Sequence, residues 1–264
     1  MNLTAINQYP VKSLRGLSRD SVQVDDFGIK NDRRWMLVRD DGSFVTQRKY
    51  PVMGSIAVED RGDMLRFTSA NGNCLDVFIG EFVDPVDSVV WGDSVTALGA
   101  GKASSDWFTL LLGIPVRLVY MPVSAFRQVD RSFADYNQRV SFADAFPFLL
   151  ISEASLNDLN ERLENTVNMS RFRPNLVVSG CEAYEEDCWK LIRIGDIEFE
   201  VVKPCSRCIM TTIDESSLRY GKEPLKTLAG YRKSEYGVCF GQNLVHQSQG
   251  VLTVGAKVEV LRRK

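Results

Sequence analysis

The stretch Ile197-Glu198-Phe199-Glu200-Val201-Val202-Lys203-Pro204-Cys205-Ser206-Arg207-Cys208-Ile209-Met210-Thr211-Thr212-Ile213 decides between competing folds. Ile197 to Lys203 reads as a strand, and a C-x-x-C pair follows it directly. A thioredoxin-type dithiol needs that pair at the start of a helix in a βαβ unit. Here Ile209 to Ile213 is β-branched and poor helix material. A zinc knuckle would recruit Cys181 and Cys188, but six residues separate them where two to four are usual. A third reading is one thiolate holding a soft transition metal, with the adjacent Arg207 favouring the thiolate. The fourth is a pair of buried thiols in a core. Spacing leaves all four open.

Outward from this stretch the chain reads as short strands and tight turns. Trp35-Met36-Leu37-Val38 and Phe44-Val45-Thr46 flank Asp40-Asp41-Gly42, a hairpin signal. Met64 to Thr68 and Cys74 to Ile79 flank Asn71-Gly72, a second one. Strands are also expected at Val89 to Trp91, Val116 to Met121, Asn175 to Val178, Leu191 to Ile194, Asn243 to Val245 and Lys257 to Leu261. Trp107, Phe108, Leu111 and Leu112 recur at helical spacing over Ser105 to Leu112. Ser152 can cap a second helix whose Leu156, Leu159 and Leu163 share a face, and Pro224 can open a short third. The pattern predicts a mainly β protein with some α, built as β-barrels, with a boundary near Pro122 to Ala125.

The chain has 264 residues, 44% hydrophobic and 25% charged, with a net charge of -2. These are globular values. Mixed charge and a pI near 5.6 argue against a nucleic-acid footprint. The longest apolar run, Phe146 to Ile151, falls far below the ~20 residues of a membrane span. Met1-Asn2-Leu3-Thr4-Ala5 lacks a basic region followed by an apolar core, so a cytoplasmic protein is expected, without membrane or nucleic-acid partners and as a monomer. The six cysteines of a cytosolic chain are read as buried, metal-binding or catalytic thiols.

His246 is the one histidine; it falls in an expected strand and reads as a partly exposed polar residue. Gly99-Ala100-Gly101-Lys102-Ala103 superficially resembles a phosphate loop. Thr96 and Ala103 break the Walker spacing, and the segment reads as a turn before a helix. Lys12-Ser13, Asp32-Arg33-Arg34 and Phe172-Arg173-Pro174-Asn175 each read singly as solvated surface charge. Gathered by the fold, their cations could hold an anion.

Several long motifs, in order, resemble the MOSC-domain proteins, specifically the mitochondrial amidoxime-reducing component and its bacterial YcbX-type relatives, over essentially the whole length. Tyr9-Pro10-Val11-Lys12-Ser13 and Asp32-Arg33-Arg34-Trp35 resemble elements of that family's N-terminal barrel. Phe148 to Leu156 and Phe172 to Asn175 are similar to its MOSC core motifs. Cys205 to Asp214 is close to its signature, and Phe240-Gly241-Gln242-Asn243 and Val254-Gly255 match its C-terminal part. The resemblance implies an N-terminal MOSC-type β-barrel domain at residues 1–122 and a MOSC β-barrel domain at 123–264. It implies a molybdenum cofactor (Mo-molybdopterin) with Cys208 as catalytic metal ligand. Lys12, Ser13, Arg33, Arg173, Asn175, Ser206 and Arg207 fall on the family's cofactor-binding positions. Asn243, also taken as a cofactor contact, stands where some eukaryotic members have Tyr.

The implied reaction is two-electron reduction of N-hydroxylated compounds such as amidoximes, hydroxylamines and N-hydroxylated bases. The plant-type iron–sulfur spacing is absent, so a separate electron donor is implied: a ferredoxin-like protein, a flavoprotein or a b-type cytochrome system. The alternative is a molybdenum-cofactor or sulfur carrier related to the C-terminal domain of cofactor sulfurases. A dithiol oxidoreductase ranks third.

Overall fold

The computed structural model describes residues 1–135 and 137–264. Strand dominates, as the short alternating segments predict. In Met64–Thr68 the side chains of Leu65 and Phe67 point inward and their neighbours outward. The turn at Asn71-Gly72 closes the hairpin to Cys74–Phe78, with Gly72 at φ +84°. At the Asp40-Asp41-Gly42 turn, the pairing is reduced to a single Val38–Phe44 bridge followed by a Val45-to-Leu37 hydrogen bond. Gly42 sits there because a Cβ would lie 2.3 Å from the Asp87 carbonyl oxygen.

Two sheets and a helix make the first lobe. One runs Trp35–Val38, Arg117–Tyr120, Asp93–Gly99, Asp84–Val90 in spatial order; the other is the meander Ala57–Asp60, Met64–Thr68, Cys74–Phe78. Helix α1 (Lys102–Leu112) packs Phe108 onto Phe67 within a core that includes Trp35, Leu37 and Leu118. Gly101 caps α1, so the glycine-rich segment is the expected turn before a helix.

The second lobe is built on a nine-stranded sheet. Its order is Val258–Arg263, Trp189–Ile194, Ile197–Ser206, Gly237–His246, Phe148–Ser152, Leu176–Ser179, Asn2–Gln8, Leu17–Arg19, with Lys233–Ser234 paired off Gly237–His246. Phe148–Ser152 and Leu176–Ser179 run parallel, joined through α2 (Glu153–Glu161), which Ser152 caps by accepting from the Ser155 N–H. Helix α3 (Leu225–Tyr231) follows Pro224. Asn2–Gln8 lies antiparallel to Leu176–Ser179, and Ser21–Asp25 pairs with Gly250–Thr253. The first residues of the chain are therefore part of the sheet built by its second half. That crossing carries Tyr9 to Ser13 alongside Arg173 and Asn175: the Asn7 N–H donates to the Asn175 carbonyl at 2.8 Å.

The large sheet buries Leu3, Ile6, Phe148, Leu150, Trp189 and Phe199 in one cluster. Each such side chain contributes ~1.5–3 kcal/mol on leaving water. Phe199 meets Phe148 edge-on at 5.1 Å and has no exposed surface. Phe199→Ala should cost ~3–5 kcal/mol through lost contacts and a residual cavity. A denaturant midpoint that barely moves would show that this cluster does not hold the sheet.

Candidate functional site

A cleft of about 350 Å³ opens between the lobes. Lys12, Ser13 and Arg33 reach it from the first segments of the chain, and Arg173, Asn175, Ser206, Arg207, Cys208 and Asn243 from the second lobe. All nine residues singled out from the sequence line this one cleft.

The left-handed backbone marks it. Ser13 (φ 70°), Arg33 (φ 47°), Trp91 (φ 54°) and Arg173 (φ 55°) all line the cleft. A non-glycine residue held there costs ~1–3 kcal/mol and persists only where the surroundings over-determine it, commonly at functional sites. Tyr9, buried behind the cleft, carries two guanidinium groups: Arg33 lies 4.1 Å and Arg173 4.3 Å from its ring centroid. Cation–π attraction to one ring keeps two like charges close together. Arg33 donates to Asp32 at 2.5 Å and to the Asn175 side-chain oxygen at 3.0 Å. Arg173 donates to the Leu14 carbonyl at 2.8 Å. Burial, with Arg33 adding repulsion, pushes the Arg173 guanidinium down to about 10, so it stays charged at neutral pH.

Lys12 is buried at 4% exposure, and its ammonium donates to the Phe142 carbonyl at 2.7 Å and to Asp144 at 2.5 Å. Burial brings it down to about 8, against the pull of Asp144. The Asp144 carboxyl is held well below the usual carboxylate range, because Lys12 and Arg48 outweigh its desolvation. Asn175 is nearly buried, and its side chain is engaged by protein: the oxygen accepts from Arg33 and from the Leu149 N–H, and the nitrogen donates to the Asn7 carbonyl. It thus fixes Arg33. Asn243 donates to the Pro204 carbonyl at 3.5 Å, and Ser206 stands exposed at the end of Ile197–Ser206.

The C-x-x-C pair ends that long strand. A short 3-10 turn, Ile209–Thr212, follows it, so no α-helix starts at the thiols and the thioredoxin geometry is not formed. Among the described residues no group of three or more His, Cys, Asp or Glu is placed to hold a metal, so Cys181 and Cys188 do not complete a knuckle. The expectation that Arg207 serves the Cys208 thiol needs correction. Its guanidinium donates to the Phe240 carbonyl at 2.8 Å and to the Phe172 carbonyl at 2.9 Å, tying two elements of the second lobe together. Arg48 takes the place beside the sulfur: its Nε donates to Cys208 Sγ at 3.2 Å. Burial pushes the Cys205 thiol up, so it keeps its proton. Arg48, Asp144 and Trp91 were not singled out as site residues from the sequence; Trp91 was expected to end a strand, but the strand stops at Val90 and Trp91 turns at φ 54° into the cleft lining.

His246 also departs from expectation. It is 8% exposed, edge-on to Phe148 at 5.5 Å, away from the cleft lining. Both faces of the strand are covered here, with Leu244 in the large-sheet core and Val245 in a separate cluster, so alternation does not carry the histidine to solvent. Burial lowers its pKa from the ordinary 6.5. The unfolded chain therefore takes up this proton first. Stability from this group is complete above about pH 6.5 and is lost as pH falls below it. His246→Gln should flatten the loss of urea stability between about pH 7 and about pH 5.5; an unchanged slope would exclude this source.

The fold is a two-lobed β protein whose cation-lined cleft holds Cys205 and Cys208, and comparison with known proteins places it. The MOSC N-terminal beta barrel domain matches residues 1–115 and the MOSC domain residues 137–259. Mitochondrial amidoxime-reducing component 1 of Homo sapiens is 35% identical over 96% of this chain and 81% of its own length. Mitochondrial amidoxime reducing component 2 of Bos taurus is 37% identical over 85% of this chain and 70% of its own. The chain belongs to the MOSC-domain family, alongside these amidoxime-reducing components. The relatives' names also correct the cytoplasmic expectation, since they point to mitochondria. That expectation rested on Met1 to Ala5, which fold into the buried-faced strand Asn2–Gln8; their composition reports packing, not compartment. No helix among the described residues is long and apolar enough to cross a membrane.

Proposed function

We propose that the chain is a molybdenum-cofactor-dependent reductase of N-hydroxylated compounds, supplied with electrons by a separate donor protein. The observation that carries this reading is the convergence of Cys208 with Lys12, Arg33 and Arg173 on one cleft, from segments up to 196 positions apart by their numbering (208 − 12). The donor set suits the cofactor. A thiol provides a soft ligand for the metal, and guanidinium groups suit a phosphate. Arg207, which lines the cleft, has its Nη2 buried without a hydrogen-bond partner among the described residues, a donor that a ligand could use. The relatives' names point to amidoximes as substrates.

In this reading Arg33, Arg173 and Lys12 hold the phosphate end, and Ser13, Ser206 and Asn243 offer neutral donors and acceptors. Asn175 and Tyr9 keep the two guanidinium groups in place. Cys208 ligates the metal. Asp144 offsets the positive charge of Lys12 and Arg48, so the cleft accepts an anion without excess repulsion between its own cations. The bound cofactor supplies two electrons which, with two protons, convert N–OH to N–H and water. The test is metal analysis of chain purified from a host able to make the cofactor, followed by turnover of an amidoxime with an artificial electron donor. Molybdenum with turnover supports the reductase; molybdenum without turnover favours a carrier; no molybdenum overturns the reading of the cleft.

A further inference from the structure

Arg48 is held at four points by separate parts of the chain. Its Nε donates to Cys208 Sγ at 3.2 Å, and its Nη2 lies 3.2 Å from Asp144 Oδ2. Its guanidinium sits 4.6 Å from the Trp91 ring centroid, and the Trp91 indole N–H donates to the same Asp144 at 3.2 Å. The Tyr220 hydroxyl donates to the Arg48 carbonyl. Asp144 is itself anchored, because the nearly buried Arg127 guanidinium donates to the carbonyls of Ser141, Ala143 and Asp144. A mobile surface arginine would have none of this, and Arg48 keeps its side chain only 25% exposed.

We propose that Arg48 is a positioning residue for Cys208, fixing the direction of the sulfur and, with the cofactor's metal bound there, raising that metal's reduction potential. This rests on the reading of Cys208 as metal ligand. An N–H donor on a ligand sulfur draws electron density from it, and a nearby positive charge favours the electron-richer state of the metal. Only a planar fork can reach the sulfur and the carboxylate together while stacked on an indole, so lysine would keep the charge and lose the geometry.

The experiment uses the molybdenum-loaded chain and four variants: Arg48→Ala, Arg48→Lys, Trp91→Phe, and Arg66→Ala as a control. Arg66 pairs with Asp76 on the hairpin between Met64–Thr68 and Cys74–Phe78, outside the cleft lining. The readouts are molybdenum per chain, the electron paramagnetic resonance spectrum of the metal's one-electron-reduced state, and the midpoint potential. Arg48→Ala should lower the potential and change the spectrum. Arg48→Lys should restore part of the potential without restoring the spectrum. Trp91→Phe, which keeps the stack and loses the bond to Asp144, should give a smaller shift of the same sign, and Arg66→Ala none. If Arg48→Ala does not fold or hold metal, Arg48→Lys and Trp91→Phe decide. Unchanged potential and spectrum in the loaded Arg48 variants overturn the proposal alone. A wild-type chain without molybdenum overturns the reading of the cleft and this inference with it.

Discussion

Cys208→Ser is expected to abolish reduction of N-hydroxylated substrates, while Cys205→Ser keeps substantial activity. A serine hydroxyl keeps its proton near neutral pH and donates less electron density than a thiolate, so the metal would lose its thiolate ligand. Cys205 lines the same cleft, but burial keeps its thiol protonated. A second protein thiolate on the proposed metal would also occupy an open coordination position that the reaction needs. The measurement is turnover of each variant, normalised to bound molybdenum and supplied with an artificial donor. Equal loss in both variants would favour a two-thiolate or dithiol mechanism. Activity retained in Cys208→Ser would remove the assignment.

Arg173→Ala should weaken cofactor retention about ten- to hundredfold, the size of one charge-assisted bond of ~1.5–3 kcal/mol. The side chain packs over Tyr9 and spends one donor on the Leu14 carbonyl, which leaves the rest of its fork for a ligand. Its backbone sits at φ 55°, where alanine is also strained, so Arg173→Gly removes the charge at lower conformational cost. Molybdenum content after desalting, read beside a melting curve, separates lost binding from lost folding. A folded variant of either kind with unchanged molybdenum would exclude Arg173 from the cofactor site.

The barrel-like character and most strand positions were legible because period-two alternation and turn chemistry are local. Met64–Thr68 and Cys74–Phe78 were readable around Asn71-Gly72 for that reason. Asn2–Gln8 was not, because a register shift between Leu3 and Ala5 breaks its alternation and buries Leu3, Ile6 and Gln8 instead. Phe148–Ser152 is buried along its whole length and so shows an apolar run without a period. Among the site residues, those inside quoted motifs were found. Arg48 was missed because Thr46-Gln47-Arg48-Lys49 carries no local sign of contact with Cys208, 160 positions away. Arg207 was given the role of Arg48 because adjacency in sequence was taken for adjacency in space. The strand end turns the Arg207 guanidinium toward the Phe172 and Phe240 carbonyls.

The antiparallel seat of Asn2–Gln8 against Leu176–Ser179 also sets an order of events during synthesis. The first strand leaves the ribosome long before its partner exists. At ~5–20 residues per second, it waits many seconds with its apolar positions exposed and its backbone groups paired only to water or to transient partners. Ser21–Asp25 waits longer still, for Gly250–Thr253. The cleft takes Lys12 and Arg33 from these early segments and Cys208 from a late one. In the proposed reading the cleft is complete only once Asn243 has been made, so cofactor would load late in synthesis or after it, and removing Asn2–Gln8 would take away the strand that leads into Lys12 and Ser13.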